Sequence, residues 1–351
     1  MKKGLTLEDQ SEFQVAIQIC DQILQIDQQN IQALYKKAKF LENQNQKDEA
    51  LQLIDDVLKI NPNYVLALNL KGEILQSKSC FEESIKYFVK AYELDNLFFT
   101  ALYNKCDCLQ DLENYEEAVR CYDQLIKIDS KNYLAHYYKS IALTELQRYT
   151  ESLSSYDKTI FLNPNYIPAY YNKGIVLNFL KKSNEAIDCF DKVISVEPNH
   201  AKSYLNKGYS LCDLGQFNEA LYNYDKAISI NSQFIEAYYN KGILLDDLKK
   251  FEEAIKCYDE VIKLDPNDSQ SYYNKAISLQ NLKKDDEALK CYDQAIQLNM
   301  SYANAYNNKG LLLEKLGKKK LAIQNYKTAM KKCSIDQNIF SKRIKRLKNK
   351  Q

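Results

Sequence analysis

The residues able to do chemistry are ten cysteines, two histidines and a recurring set of asparagines. Histidine is the usual general base near neutral pH. Here His136 takes an aromatic's place in an apolar pattern and His200 lies in a turn, and neither has a partner constellation. Cys121, Cys189, Cys257 and Cys291 recur at one repeat position, so their spacing belongs to the repeat and not to a metal motif. Cys106-Asp107-Cys108 lacks the gap of a zinc knuckle. The expectation is a protein that is not an enzyme, with no metal, cofactor or small-molecule substrate. The asparagines Asn104, Asn172, Asn206, Asn240, Asn274 and Asn308 are different. A carboxamide carries both a donor and an acceptor and can pair with a peptide backbone whatever its sequence. That is chemistry of recognition.

Charge sets limits on the partner. The 48 basic and 47 acidic residues leave a net charge of +1, so no global field recruits nucleic acid or a membrane. Only Arg120, Arg148, Arg343 and Arg346 offer the guanidinium fork best suited to phosphate, which further disfavours single-stranded RNA. The 28 tyrosines could stack on bases, but most hold fixed places on helix-packing faces, as Tyr122, Tyr156, Tyr224, Tyr258, Tyr292 and Tyr326 do. No apolar run approaches a membrane span and no signal peptide is evident at the start, so a cytoplasmic protein is expected, with its cysteines as thiols.

The elements that must position these residues repeat. A shift of 34 aligns Gly4, Ala38, Gly72, Cys106, Ser140, Gly174, Gly208, Gly242, Ala276 and Gly310, all small. Three residues on, from Leu7 to Leu313, every member is Leu. Twelve beyond the small column, from Ala16 to Ala322, every member is Ala or Ser. Four of the five prolines (Pro62, Pro164, Pro198, Pro266) share one position, and Pro168 sits in the first turn of the next helix, where its missing N–H costs nothing. Within one unit, Tyr170, Gly174 and Leu177 fall at helical spacing, then Ile187, Phe190, Val193 and Ile194 do so again. This predicts antiparallel helix pairs. One pair cannot bury both its faces, so the pairs must stack.

The run Ala237-Tyr-Tyr-Asn-Lys-Gly-Ile-Leu-Leu, followed by Phe251-Glu-Glu-Ala254 and Leu264-Asp-Pro-Asn267, resembles the tetratricopeptide repeat consensus. Its aromatic, Gly, small, Ala, aromatic, Ala and Pro sites are matched by Tyr238, Gly242, Leu245, Ala254, Tyr258, Val261 and Pro266. The main departure is Lys before the small column in nine units, from Lys37 to Lys309, where the family favours Leu. Their stems should pack and their ammonium groups reach the surface. The resemblance implies an all-α fold, an α-solenoid of 34-residue helix pairs forming a right-handed superhelix. Residues 1–336 read as about ten units, the first truncated so that half a first helix precedes Phe13–Ile26. Residues 337–351 read as a basic C-terminal capping helix, with Phe340, Ile344 and Leu347 in register. The lysines at 331–332 with Lys342–Arg346 also match a weak bipartite nuclear import pattern, although a solvated cap accounts for the same charges.

The resemblance also implies that first-helix side chains two before the small column point into a concave groove. A similar asparagine ladder is found in the repeats of O-GlcNAc transferases. Asn172, Asn206, Asn240, Asn274 and Asn308, with Tyr171, Tyr239 and Tyr273, are therefore the candidate peptide-binding residues. The other reading of these asparagines is simple solvation or coding bias. The carboxylate clamp of chaperone adaptors is absent, because Tyr171, Leu205, Tyr239 and Tyr273 stand at its Lys site and Ile175, Tyr209, Ile243 and Ile277 at its Asn site. Asp213, Glu236, Asp246, Asp247 and Glu314 favour a neutral or basic segment of a partner protein. The expected function is a protein–protein interaction scaffold or adaptor binding an extended peptide or partner helix. The alternative is a targeting subunit of a multiprotein enzyme assembly, such as a glycosyltransferase or ubiquitin ligase, with its catalytic part elsewhere.

Overall fold

Small residues at 34-residue spacing let helix axes approach closely, and in the computed structural model they do so throughout residues 7–333 and 337–349, the part of the chain described. The described residues form twenty α-helices and no strand. They fall into two units, one to Asn172 and one from Lys173. The first holds α1 (Leu7–Ile26), α2 (Ile31–Asn43), α3 (Lys47–Ile60), α4 (Val65–Ser77), α5 (Phe81–Leu94), α6 (Phe99–Asp111), α7 (Tyr115–Ile128), α8 (Tyr133–Glu145) and α9 (Tyr149–Leu162). The boundary falls inside α10 (Ile167–Phe179). The second unit continues with α11 (Ser183–Val196), α12 (Ala201–Asp213), α13 (Phe217–Ile230), α14 (Ile235–Asp247), α15 (Phe251–Leu264) and α16 (Ser269–Asn281). It ends with α17 (Asp285–Leu298), α18 (Ala303–Lys315), α19 (Lys319–Lys332) and α20 (Gln337–Asn349). Within each unit every helix packs mainly on its neighbours in the chain.

Sequence punctuates every pair. A first helix such as α14 ends with Lys249 N–H on the Asp246 carbonyl and Lys250 N–H on the Leu245 carbonyl, at 2.9 and 2.8 Å. This Schellman closure needs a left-handed residue, here Lys249 at φ 61°. A second helix such as α15 ends at Asp265, whose Oδ1 accepts from Asn267 N–H at 3.0 Å, with Pro266 between them preventing further helix.

The small column is steric. A Cβ on Gly242 would lie 2.8 Å from the Tyr258 ring, and one on Gly72 would lie 2.5 Å from the Phe88 ring. Tyr122, Tyr156, Tyr224, Tyr258, Tyr292 and Tyr326 are all buried against such small residues. Packing, not base stacking, is what these six rings do.

The half helix expected before Phe13 falls largely outside the described residues, among which α1 runs from Leu7 to Ile26. One expectation needs correction. Not all ten cysteines are thiols, since Cys106 and Cys121 are joined by a disulfide, with Cα atoms 5.4 Å apart. Cys106 occupies the small column of α6, and Cys121 the place on α7 that faces it. In this repeat alone both places hold cysteine.

Candidate functional site

The buried tyrosines on second helices carry their hydroxyls through the repeat to its first helix. Tyr258 donates to Asp246 Oδ2 at 2.8 Å, Tyr292 to Gln280 Oε1 at 3.0 Å and Tyr326 to Glu314 Oε1 at 2.8 Å. Ser278 donates to the other Asp246 oxygen at 2.6 Å. Burial raises the Asp246 carboxyl above its ordinary range, and the Ser278 and Tyr258 hydroxyls pull it partly back.

The candidate recognition residues come together as pairs. Asn172 Nδ2 donates to the Tyr137 hydroxyl at 3.0 Å, Asn274 to Tyr239 at 3.1 Å and Asn308 to Tyr273 at 3.0 Å. Each tyrosine lies 35 residues earlier, on the preceding first helix. All these residues but Tyr137 are half-buried; Tyr137 is buried. Burial raises the Tyr239 and Tyr273 phenols, and the carboxamide donated to each lowers it somewhat. Asn206 Nδ2 also reaches the Lys202 carbonyl at 2.9 Å. Asn240 stands opposite Leu205, which has no hydroxyl to offer. Tyr171 lies half-buried on α10 beside Asn172. The carboxamide N–H groups of Asn172, Asn274 and Asn308 are thus engaged within the array, an arrangement the asparagine column alone did not reveal.

Three residues beyond the asparagines, on the same helix face, the second unit carries Tyr209, Ile243, Ile277 and Leu311. Tyr209, Ile243 and Leu311 are exposed and Ile277 is half-buried. One turn further on, Asp213 and Asp247 are exposed. The Lys181 ammonium donates to the Tyr209 hydroxyl at 2.8 Å and pairs with Asp213 at 3.0 Å. This face is an apolar line bordered by carboxylates and carboxamides.

The nine-lysine column has partners that sequence reading missed. Lys37, Lys71, Lys139, Lys207, Lys241 and Lys275 donate to Asp21, Asp55, Asp123, Asp191, Asp225 and Asp259 at 2.5–2.6 Å, and Lys309 pairs with Asp293. Each Asp lies sixteen residues earlier, on the second helix of the preceding repeat. An Asp column at that spacing was the available signal. These pairs tie successive repeats together and leave the ammonium groups only partly exposed.

His200 caps α12, accepting from Ser203 N–H at 3.2 Å, and burial lowers the pKa of His136. Among the described residues no three His, Cys, Asp or Glu side chains converge on one point. No helix there is long and apolar enough to cross a membrane.

Models of the tetratricopeptide repeat match residues 7–74, 107–167, 167–200, 189–222, 235–268 and 257–290, and a TPR repeat model matches 208–248 and 281–317. No curated protein matches significantly. Among solved structures, a tetratricopeptide repeat protein from Parabacteroides merdae is 16% identical over 71% of this chain and 98% of its own, with a TM-score of 0.53. The C-terminal part of a TPR repeat-containing protein from Cytophaga hutchinsonii is 16% identical over 66% of this chain and 96% of its own, with a TM-score of 0.59. At these identities the likeness is one of fold.

Proposed function

Because the chain belongs to the tetratricopeptide repeat family, we propose that it is a protein-interaction scaffold whose second unit holds an extended peptide segment along its first helices. The observation that carries this reading is the line Tyr209, Ile243, Ile277 and Leu311, with three members exposed and one per repeat. Beside it lie the asparagine–tyrosine pairs. The Tyr239 oxygen accepts from Asn274, which leaves its O–H free to serve as a donor, and the Asn274 carbonyl keeps acceptor capacity. Each pair therefore offers one donor and one acceptor, the complement of a peptide unit. Helices about 8–10 Å apart set the pairs at a spacing that three extended residues span at about 3.3 Å each. Asp213 and Asp247 favour a segment that is neutral or basic.

Selection of random peptides on the immobilised full chain tests this. Extended sequences with apolar residues and Lys or Arg, poor in acids, are expected. Replacing Asn240, Asn274 and Asn308 together by Ala should keep the chain helical and lower its melt only modestly, since Ala is the better helix former and offsets part of the two lost bonds to Tyr239 and Tyr273. The selected peptides should bind on the order of tenfold to a hundredfold more weakly, at about 0.5–1.5 kcal/mol per hydrogen bond. Selected peptides that bind the folded triple variant as tightly as wild type would move the site off this face.

A further inference from the structure

Among the second helices, α19 is the one that carries no acidic residue. Its first turn reads Lys319-Lys320-Leu321, whereas every second helix from α3 to α17 begins with at least one Asp or Glu. Leu321 stands in a column that is Glu in eight repeats, from Glu49 to Glu287, and it is 53% exposed. Thr328, two turns on, is exposed in a column that is otherwise Gln, Lys, Glu or Asp from Gln22 to Gln294. Uncharged and shorter side chains thus border a trough on one flank of α19.

The trough holds about 470 Å³ between α17 and α19, with α18 as its floor. Leu289 and Ile296 of α17, Leu313 of α18 and Leu321 of α19 make its apolar wall, and Gln324 and Thr328 border it on α19. The lining positions on each of α17 and α19 span two helical turns. Asn325 lines it too. It is 8% exposed, its Nδ2 donates to the Tyr306 carbonyl at 2.7 Å, and its Oδ1 takes no hydrogen bond among the described residues.

Charge around the trough is one-sided. The acids of α17 on that side are already matched: Asp285 by Lys315 and Asp286 by Lys318, both at 3.4 Å, and Asp293 by Lys309. On α19, Lys320, Lys327 and Lys331 are exposed and form no ion pair with described residues. Spaced seven and four residues apart, they share one stripe of the helix beside the trough.

We propose that the trough between α17 and α19 docks an acidic amphipathic helix of a partner protein. A groove two turns long takes apolar side chains at i, i+3 or i+4, and i+7. A donor among them, from Trp, Ser or Thr, meets Asn325 Oδ1. Asp or Glu on the flank of the incoming helix lies along Lys320, Lys327 and Lys331. Nucleic acid would satisfy the lysines but brings no apolar side chain for Leu289, Ile296 and Leu321 to cover. The surface is built on second helices, whereas the peptide face proposed above belongs to first helices.

Selection of random peptides of about 18 residues, five helical turns, on the immobilised full chain tests this. Counterselection uses the variant Leu321→Glu with Gln324→Lys and Thr328→Gln. That variant gives α19 what α17 has at Glu287, Lys290 and Gln294, all at exposed positions, so helicity should match wild type. Surviving peptides should be rich in Asp and Glu, with apolar residues at the helical spacing. They should bind the counterselecting variant at least tenfold more weakly and lose affinity in high salt. Lys320→Glu with Lys327→Glu should weaken them as much, and peptides with Lys in place of their acids should regain binding to that variant. The chain with Asn240, Asn274 and Asn308 replaced by Ala should hold them as wild type does, which separates failure here from failure of the first-helix site. An empty selection, or survivors without acids or without the helical spacing, would overturn the proposal. Self-association, or binding of an RNA oligonucleotide, that the counterselecting variant abolishes would overturn it equally, because the trough would then serve a second copy or RNA.

Discussion

The first-helix face of the first unit and that of the second are built on one scaffold but present different chemistry. In the column after the small residue, the first unit has Lys39, Glu73, Asp107 and Ile141, and the second has Ile175, Tyr209, Ile243, Ile277 and Leu311. The first unit uses its carboxylates internally. Glu73 accepts from Asn69 at 2.9 Å and from Asn104 at 3.2 Å, and Asp107 accepts from Gln76 at 2.7 Å. A face whose polar groups already satisfy one another gains little from a ligand, because any new hydrogen bond must replace an existing one. Exposed apolar side chains have no such alternative and gain about 25 cal/mol per Å² when covered. The same fold therefore carries a polar face that satisfies itself in one unit and an exposed apolar face in the other, the face proposed above to receive a peptide.

The largest effect should come from breaking the receptive side. Ile243→Glu with Ile277→Glu removes apolar contact and places two carboxylates where a ligand would desolvate them. The expected loss is at least about 3 kcal/mol, on the order of a hundredfold in affinity for selected peptides. Asp107→Asn in the first unit should leave that affinity unchanged. Titration calorimetry of both variants would decide, and equal losses would erase the distinction between the units.

Next in size is the steric column shared by both units. Gly242→Leu must displace the Tyr258 ring, an overpacking cost of about 1–3 kcal/mol that helix propensity offsets only in part. Gly72→Leu should cost as much or more, since the Phe88 ring is closer to the position of its Cβ. A thermal melt of either variant at or above wild type would show that the helices do not need the small residue there.

This column was legible because it repeats in sequence at the period of the fold, and the buried rings of Tyr258 and Tyr292 followed from it. Contacts that join different helices were not. Lys241 meets Asp225 sixteen residues back, and Asn274 meets Tyr239 thirty-five back. Neither spacing belongs to a single helix, so it becomes visible only once the stacking geometry is known. The Cys106–Cys121 bond was hidden for the same reason. The asparagine column is visible in sequence, but the tyrosines to which Asn172, Asn274 and Asn308 donate lie thirty-five residues away on another helix.

A third test concerns the half-buried carboxyl that accepts from the Tyr258 and Ser278 hydroxyls. Burial holds the Asp246 carboxyl above the ordinary aspartate value of 3.8, with the Ser278 and Tyr258 hydroxyls opposing the shift. A carboxyl raised in the folded state contributes stability below its unfolded pKa, and loses it as pH rises through the folded value. Asp246→Asn removes that loss and keeps an acceptor for Tyr258. The difference in Tm between variant and wild type should therefore increase in the variant's favour from about pH 3.5 to about pH 6. A difference that is flat across that range would mean that Asp246 is solvated as an ordinary surface acid.

The smallest effect isolates the backbone. Every described first-to-second helix turn places one residue in the left-handed region, and the units fill that position differently. The first unit has Asn45, Ser79, Glu113 and Gln147 at φ 57–65°. The second has Gly215 and Gly317 at φ 75° and 71°, alongside Lys181, Lys249 and Lys283 at φ 58–61°. A residue with a Cβ is disfavoured there by about 1–2 kcal/mol, whereas glycine loses about 0.5–1 kcal/mol of extra chain entropy on folding. Lys249→Gly should therefore stabilise the chain by about 0.5–1 kcal/mol, and Glu113→Gly should do the same in the first unit. Gly215→Lys is the reciprocal change. A Cβ added at Gly215 has nothing within 4 Å, so any loss of stability reflects conformation and not crowding. Denaturant melts of the three variants should give two gains and one loss of similar size. A gain from Gly215→Lys would show that lysine reaches a favourable partner in that turn, and that the glycines of the second unit were not retained for their backbone freedom.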